Sequence, residues 1–284
     1  MTNKKLITIE KEGLLGLKSL VEVYEEVAAI RMQKVRGAVL QSRLFMAGLL
    51  EVFVKVREAY RKLPDKPATA RRLNGRAVAV FVSANAGLYG DIVDRTFEVF
   101  SEYVRQEKPD VVVLGRLGVK MMGDKLSEVL YNYFDFSDDG IDVESFDLVM
   151  RYLIQFEKIV VFHGQFKTIL TQVPVRTDVS GEGVAVEQVG LAEKAVREEG
   201  HYLFEPSVED IARVFEGEIL ASIFEQSLHE SQLSKFASRM LALDRSLENI
   251  DKRMQVVRVA ERQVAHKIRN HKQLTTISGM TLWG

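Results

Sequence analysis

Two glycines, Gly87 and Gly90, follow a short apolar run at residues 77–82 that is typical of a buried strand. A glycine turn between a strand and a helix can bind phosphate through the backbone N–H groups of the helix N-terminus. This turn carries neither the Lys-Ser/Thr pair of a P-loop nor the three glycines of a dinucleotide-binding fingerprint. We interpret it as a structural turn and predict no nucleotide or other cofactor for the chain.

The remaining reactive side chains do not form a pattern for metal binding or catalysis. The sequence contains no cysteine, which excludes disulfides, thiol catalysis and cysteine-ligated metals. The histidines show no metal-ligand spacing with Asp or Glu, and His266 and His271, five residues apart, do not share one helix face. No nucleophile–base pattern is readable either. We predict no metal site and no catalytic residue, so the chain is expected not to be an enzyme on its own.

A basic segment near the C-terminal end is the most distinctive charged feature. From Lys252 to Lys272, seven Lys and Arg residues stand against one acid, Glu261, although the net charge of the whole chain is −1. Such a segment can be a solvated helix face, a nucleic-acid patch or a surface for an acidic protein partner. Aromatic residues are not interleaved with these charges, which argues against nucleic acid. We favour a protein partner and predict no binding to nucleic acid.

Long helices at both ends of the chain must position this segment. The five prolines stand at 64, 67, 109, 174 and 206, so both ends are free of them. Helical spacing of apolar residues from about 10 to 62 predicts a helix of roughly 75 Å, ended by Pro64. A second helix is predicted from Ser207 to about Thr275, roughly 100 Å long. The recurring apolar residues of the first helix include Leu14, Leu17, Leu20, Val21, Val27, Ala28, Val35, Val39, Leu44, Leu49 and Phe53.

The second helix repeats its apolar residues at alternating spacings of three and four. This heptad pattern predicts a coiled-coil seam with a left-handed supercoil. The two long helices are therefore expected to bury their apolar stripes mostly on each other. The seam residues are Leu233, Phe236, Met240, Leu243, Leu247, Ile250, Met254 and Val257, and after Glu261 the series resumes at Val264 and Ile268.

The middle of the chain alternates strand and helix signals, which predicts an α/β domain with a largely parallel sheet. The fold class is therefore α/β, with a Rossmann-like domain at 64–206 inserted into a coiled-coil stalk formed by 1–63 plus 207–284. A flexible loop is expected at Gly181-Glu-Gly183. The predicted strands are 77–82, 111–114, 158–162, 169–175 and 201–204, and the predicted helices are 92–104, 121–130 and 145–155.

Several short motifs along the chain resemble those of F-type ATP synthase gamma subunits, in the same order. Ser83-Ala-Asn-Ala-Gly-Leu-Tyr-Gly90 resembles the family's S-D-x-G-L-C-G turn, and Leu114-Gly-Arg-Leu-Gly118 is similar to its G-R-K-G. Before the C-terminal helix, Phe204-Glu-Pro-Ser207 is similar to the family's Y/F-E-P-S, and near the end of the sequence Ile277-Ser-Gly279 resembles its terminal I-V-S-G. Two further matches are Glu25-Glu-Val-Ala-Ala-Ile-Arg-Met-Gln-Lys34 and Ser238-Arg-Met-Leu-Ala-Leu243 with Glu248-Asn249.

The resemblance implies a rotor. In this family the two long helices form an antiparallel coiled coil within a hexamer of alternating alpha and beta subunits, and the α/β domain faces the epsilon subunit and the ring of c subunits. Rotation driven by protons crossing the ring then changes the affinities of the beta sites. By this resemblance the chain is a non-catalytic gamma subunit, peripheral to the membrane on the cytoplasmic side of the bacterial plasma membrane.

The sequence departs from the family at the positions that meet the beta subunits. The family usually has an Arg-Gln pair and a following Thr there, and the gap-free register gives Ala265, His266 and Asn270 instead. An Arg262-Gln263 pair stands three residues earlier, and Tyr24 occupies a position where Met is common. The candidate partner-interface residues are Tyr24, Arg31, Arg258, Arg262, Gln263, His266, Lys267, Arg269 and Asn270.

Two other functional classes remain open from the sequence. One is a non-rotary tether or assembly protein, a coiled coil with an α/β head. The other is a doubly wound enzyme with helical extensions, which a ligand at the carboxyl ends of the strands would support. No apolar run approaches the roughly 20 residues of a membrane-spanning helix, and the first residues lead into no signal sequence.

Overall fold

A computed structural model describes residues 2–61, 75–179, 205 and 207–281. The chain divides into two compact units, one of Met1–Ala28 with Met240–Gly284 and one of Ala29–Arg239. The domain boundaries predicted from the sequence follow the ends of the long helices instead and remain a prediction. The expected loop at 181–183 and the expected strand at 201–204 lie outside the described residues.

The described elements are five helices and five strands, which alternate along the chain except that the last two strands follow each other directly. The helices are α1 (Thr2–Arg61), α2 (Ile92–Glu107), α3 (Arg116–Lys125), α4 (Val143–Leu153) and α5 (Val208–Thr281), and the strands are β1 (Ala77–Val82), β2 (Asp110–Leu114), β3 (Tyr131–Phe134), β4 (Lys158–Phe166) and β5 (Gln172–Asp178).

The strands form one sheet in the order β3-β2-β1-β4-β5. The first four are parallel, and β5 pairs antiparallel with β4. Continuous Val-rich runs such as residues 111–114 suit a parallel sheet because both of its faces are covered. The largely parallel sheet predicted from the sequence is thus confirmed. The chain doubles back at β1, since β2 and β3 lie on one side of it and β4 on the other.

The helix predicted at 121–130 overlaps α3 only in its first half, and the strand β3 was not predicted from the sequence. The structure ends α3 at Lys125 and makes residues 131–134 a strand. This strand is short and half-exposed, with the sequence Tyr-Asn-Tyr-Phe, so it lacks the apolar run that marks β1 and β2. Edge strands of this kind carry a weak signal because only part of their surface is buried.

Alternate residues of β1 belong to two apolar cores, one on each face of the sheet. Val78, Val80 and Val82 lie in the core that α1, α4 and the start of α5 close. Ala79 and Phe81 lie in the core that α2 and α3 close, with additional residues from α1 and α5. Both long helices therefore contribute side chains to the α/β unit, in addition to the helices between its strands.

The other unit is an antiparallel coiled coil. Val21, Leu243 and Ile250 are buried together, with Leu14 and Leu247 against them. Ion pairs flank this seam: Lys11 Nζ lies 2.9 Å from Glu261, and Lys18 Nζ lies 2.6 Å from Asp251. Partner numbers fall along one helix as they rise along the other, which defines the antiparallel direction. The α5 seam from Leu243 to Val257 follows the predicted heptad.

The first helix departs from its predicted apolar pattern. Leu17, Leu20 and Val27 are 49%, 53% and 38% exposed, and Leu44 in the other unit is 74% exposed. Residues spaced by seven, Leu14, Val21 and Ala28, face inward instead. The part of α1 in the coiled coil thus has a second apolar stripe that the pairing with α5 leaves uncovered.

By length and composition alone, α1 could also cross a membrane, since an 18-residue window between Lys4 and Val56 reaches a mean hydropathy of 1.4. This corrects the expectation that no apolar run approaches that length. Only 28% of that window is buried, although Met46, Leu50 and Phe53 of α1 lie in the core under the sheet.

A face of small residues lets α5 approach the sheet closely. Ser227, Ser231, Ser234 and Ser238 recur at spacings of four, three and four and are all buried. A Cβ atom added at Gly164 would lie 2.3 Å from Ser234 Oγ, and one added at Gly90 would lie 2.9 Å from the carbonyl oxygen of Ser238. Gly90 also has a φ of 61°, in the left-handed region that glycine favours.

Replacing the seam residue Ile250 should loosen the coiled coil. Ile250→Ala is expected to cost about 2–3 kcal/mol because it leaves a cavity in a seam that has few other buried residues. Hydrogen exchange of the α5 amides around residue 250 would report the loss. Val256→Ala is the matched control, since Val256 is 58% exposed. Equal effects of the two substitutions would contradict the assigned seam.

Replacing Gly90 should destabilise the α/β unit. Gly90→Ala is expected to cost about 2 kcal/mol or more, because a Cβ atom there meets both the left-handed backbone and the α5 backbone. Gly87→Ala serves as the control, since a Cβ atom at Gly87 would meet no atom within 4 Å. Urea unfolding of the two variants, compared with the wild-type chain, measures the difference, and similar midpoints for both would argue against the close approach of α5.

Candidate functional site

The segment Ser83–Gly90 connects the carboxyl end of β1 with α2 and is held by its own chain. The N–H of Ser83 donates to the carbonyl of Leu114, 2.9 Å away at the end of β2. The side chain of Asn85 accepts from the N–H of Arg116, the first residue of α3, at 2.9 Å. Its amide group donates to Asp135 Oδ1 and to the carbonyl of Phe136, both at 2.9 Å. One asparagine therefore fastens the ends of β1 and β3 to the start of α3.

A carboxylate already occupies the backbone N–H groups of this turn. Asp138 Oδ2 accepts from the N–H of Asn85 at 2.8 Å and from that of Ala86 at 3.1 Å. Consecutive backbone N–H groups of this kind form a concave site for an anion. An internal aspartate fills it here, which supports the interpretation of the segment as a structural turn.

Lys235 of α5 binds the other oxygen of the same carboxylate. Its Nζ donates to Asp138 Oδ1 at 3.0 Å and to the carbonyl of Ser83 at 2.9 Å. The side chains of Lys235 and Asp138 are 6% and 10% exposed. Burial lowers the pKa of Lys235 below its ordinary value, and the Asp138 carboxylate acts in the opposite direction.

One helical turn further along α5, Arg239 binds the tip of the same segment. Its guanidinium donates to the carbonyls of Gly87 at 2.8 Å and Leu88 at 3.0 Å. It also lies 4.0 Å from the ring centroid of Tyr89, a cation–π distance. Burial raises the pKa of the Tyr89 phenol, and the Asp138 carboxylate raises it further. The left-handed backbone of Leu88, with a φ of 66°, brings its carbonyl to Arg239.

No pattern in the sequence predicts a role for Lys235, Asp138 or Arg239. Arg239 falls within the segment Ser238–Leu243 that resembles a family motif, but the motif carries no information about its contacts. Lys235 offers one usable signal, because it is a charged residue next to the serines at 231, 234 and 238 on one face of the helix. Asp138 stands in the polar run Ser137-Asp138-Asp139, where nothing marks it for burial.

These contacts bear on the enzyme hypothesis. In doubly wound sheets, ligands bind outside the carboxyl ends of the strands at the point where the strand order reverses, here between β1 and β4. Ser234 and Ser238 of α5 lie against Gly164 of β4 and against Gly90, and Lys235 contacts the end of β1. The terminal helix therefore occupies the place where such an enzyme would bind its ligand.

The predicted interface residues of α5 all belong to the coiled-coil unit and are all exposed. Helical periodicity places Arg258, Arg262 and Arg269 on one face, and Gln263, Lys267 and Asn270 on a second. His266 lies between the two faces. We call these seven residues, with Lys272, the basic collar: Arg258, Arg262, Gln263, His266, Lys267, Arg269, Asn270 and Lys272.

The basic collar is available to a partner. Within the described part of the chain, none of its Lys or Arg residues forms an ion pair, whereas Lys252 pairs with Glu248 and Arg253 with Glu10. Every described side chain from 265 to 278 is exposed. An array of unpaired cations on a helix attracts carboxylates, and the planar guanidinium groups can bind them in a bidentate manner.

The structure does not bring together all the residues predicted from the sequence. Tyr24 is 48% exposed in the coiled-coil unit, as the collar is. Arg31 belongs to the α/β unit, where its guanidinium pairs with Asp139. Among the histidines, His163 is buried and bonded to Thr177 at 2.9 Å, and burial lowers its pKa to about 4. His201 is outside the described residues, within which no cluster of His, Asp or Glu could hold a metal ion.

Comparison with known proteins identifies the family. A family model described as ATP synthase matches residues 14–265. The ATP synthase gamma chain of Moorella thermoacetica is 23% identical over 230 residues, which cover 78% of each chain. That of Chlorobium phaeobacteroides is 21% identical over 276 residues, covering 92% of this chain and 91% of its own.

Solved structures have the same fold. A chain of the Euglena gracilis mitochondrial ATP synthase, in an assembly described as OSCP/F1/c-ring, matches with a TM-score of 0.60 at 14% identity, covering 98% of this chain and 94% of its own. A chain from the central stalk and c-ring of the Tetrahymena thermophila enzyme matches with a TM-score of 0.58 at 16% identity, covering 80% and 99%. The long helices and the parallel sheet are thus common to these proteins. The chain belongs to the ATP synthase family, as a divergent member of its gamma chains.

Proposed function

We propose that this gamma chain forms the rotating central stalk of an F-type ATP synthase. Ion flow through a ring of c subunits turns the chain, and its rotation changes the nucleotide affinities of the beta subunits in an alpha–beta hexamer. The chain itself is non-catalytic. Its expected partners are the alpha, beta and epsilon subunits and the c ring. The observation that carries the proposal is an exposed, unpaired basic collar on an antiparallel coiled coil.

The basic collar is the proposed contact with the beta subunits. Its charges lie on more than one face of α5, so a turning helix presents cations to one neighbour after another. Acidic loops on the partner would form charge-assisted hydrogen bonds with them, each worth about 1.5–3 kcal/mol. Tyr24 is proposed as an aromatic contact in the same unit. Arg31 would reach a partner only by exchanging its bond to Asp139.

The uncovered stripe of α1 supports a surrounding partner as well. Leu6, Ile9, Leu20, Val23 and Val27 are each more than a third exposed. Their spacings of three, eleven, three and four place them on one face of the helix, and Gly13 falls on the same face between Ile9 and Leu20. An exposed apolar face of this kind marks an interaction surface. We propose that it packs against the inner surface of the alpha–beta hexamer.

The complex to which gamma chains belong is membrane-associated. For this chain we propose a peripheral position on the cytoplasmic side of the bacterial plasma membrane, reached through the complex. The similar gamma chains of Moorella thermoacetica and Chlorobium phaeobacteroides come from bacteria, which supports this side of the membrane.

Purification from native membranes tests the assignment. We expect the tagged chain, isolated gently, to co-elute with Mg²⁺-dependent ATP hydrolysis in a large alpha–beta assembly, and the isolated chain to have no such activity. A chain that elutes alone, or with partners that do not hydrolyse ATP, would favour the tether function.

Removing one face of the basic collar should weaken coupling. The variant Arg258→Ala/Arg262→Ala/Arg269→Ala is expected to lower the rate of ion-driven ATP synthesis about tenfold, since losing even one charge-assisted bond costs about 1.5 kcal/mol. Synthesis by inverted vesicles that contain the assembled complex is the measurement.

A matched control removes three charges elsewhere. Arg105, Lys120 and Arg151 are exposed on the α/β unit, and their combined replacement by Ala is expected to leave synthesis near the wild-type rate. If both triple variants slow synthesis equally, the loss follows from net charge and not from the collar.

A further inference from the structure

We infer that Lys235 and Asp138 form a buried lock that fixes the rotational setting of α5 in the α/β unit. Through this lock, a rotation applied to the α/β domain passes to the terminal helix without slipping. The consequence for rotation rests on the proposed stalk function, whereas the lock is a property of the folded chain alone.

The lock uses both oxygens of one carboxylate. Asp138 Oδ1 accepts from Lys235, and Oδ2 accepts from the backbone of Asn85 and Ala86. Lys235 also binds the carbonyl of Ser83. On the side of the sheet, the lock is thus built from backbone groups that follow β1. Their position is fixed because β1 is the central strand and is hydrogen-bonded on both sides. The carboxylate cannot follow the lysine without leaving those backbone groups.

The ion pair adds a directional constraint to the apolar contacts around it, because a hydrogen bond weakens steeply when its geometry changes. The hydrophobic effect by itself is non-directional. A buried charge that loses its partner is strongly destabilising. Rotating α5 by about 30° would move an atom at its roughly 6 Å surface by about 3 Å, enough to break a hydrogen bond. The pair therefore opposes rotation of the helix about its own axis.

Neighbouring contacts on the same face of α5 hold the helix against sliding. Ser234 and Ser238 fit against Gly164 and Gly90, where an added Cβ atom would be too close. Arg239 binds two carbonyls of the segment after β1. These contacts fix the distance of α5 from the sheet and its position along its own axis. The ion pair adds a charged bond that has only one rotational setting.

The same pair could instead serve stability only, and the two roles predict different results. Replacing both members of a buried ion pair by uncharged residues is often neutral for stability. We therefore choose Lys235→Met/Asp138→Asn, since the Asn side-chain oxygen can still accept from Asn85 and Ala86. The matched control is Lys252→Met/Glu248→Gln, which removes an exposed pair within α5.

The first measurement uses the isolated chain. The sequence has no cysteine, so spin labels at Lys120→Cys and Glu225→Cys report one distance between α3 and α5. In the lock variant we expect a broadened distance distribution and a melting temperature within about 4 °C of the wild-type chain. The control should keep the narrow distribution. A folded lock variant with an unchanged distribution would overturn the inference.

The second measurement uses the assembled complex. We expect the lock variant to hydrolyse ATP, but to pump at most about one third as many ions per ATP as the wild-type complex. Wild-type pumping efficiency in a variant with a broadened distribution would overturn the role in transmission. If the wild-type chain assembles with no ATPase, the stalk function fails while the distance measurement still decides the lock. Should Lys235→Met not fold, Lys235→Gln/Asp138→Asn is measured in the same way.

Discussion

A lysine side chain that is only 6% exposed has lost most of the water around its ammonium group, so oxygen atoms of the chain must replace that water. At Lys235 they come from Asp138 and Ser83, and this requirement orders much of the α/β unit. The segment after β1 has to turn its backbone N–H groups toward Asp138. The strand β3 has to end just before the loop that carries Asp138. The helix α5 has to lie close enough to both for Lys235 to reach them. The glycines at 90 and 164 and the serine face of α5 make that approach possible.

Local patterns predicted those parts of the fold that depend on neighbouring residues. The Val-rich runs of β1 and β2 mark buried parallel strands, and the heptad from Leu243 to Val257 marks the seam, because both periodicities are set by the element itself. The Lys235–Asp138 contact joins positions 97 residues apart, and nothing local announces it. The strand Tyr131–Phe134 was missed because pairing with β2 makes it a strand. Leu17 and Leu20 are exposed because α5 covers a different side of α1. The spacing of apolar residues along α1 does not by itself decide which side is covered.

The chain separates two uses of charge. At Lys235 the charge is buried and has fixed partners, so salt screens it much less than an exposed charge. In the basic collar the charges are exposed, and salt at physiological ionic strength screens them over about 8 Å. The first arrangement suits a permanent joint within one chain. The second suits contacts that form and break repeatedly, since no desolvation cost binds them to a single neighbour. Neither the buried ion pair nor the basic collar is evident from the net charge of the chain, which is −1.

The heptad seam has a mechanical consequence because a repeat of 3.5 residues winds the two helices around each other in the left-handed sense. Torsion applied to such a pair is not symmetric. Twisting in the sense of the supercoil tightens it and presses Val21 and Leu243 together, whereas twisting in the opposite sense unwinds the pair and draws the seam apart. A coiled coil of this handedness is therefore stiffer toward twisting in one sense than in the other.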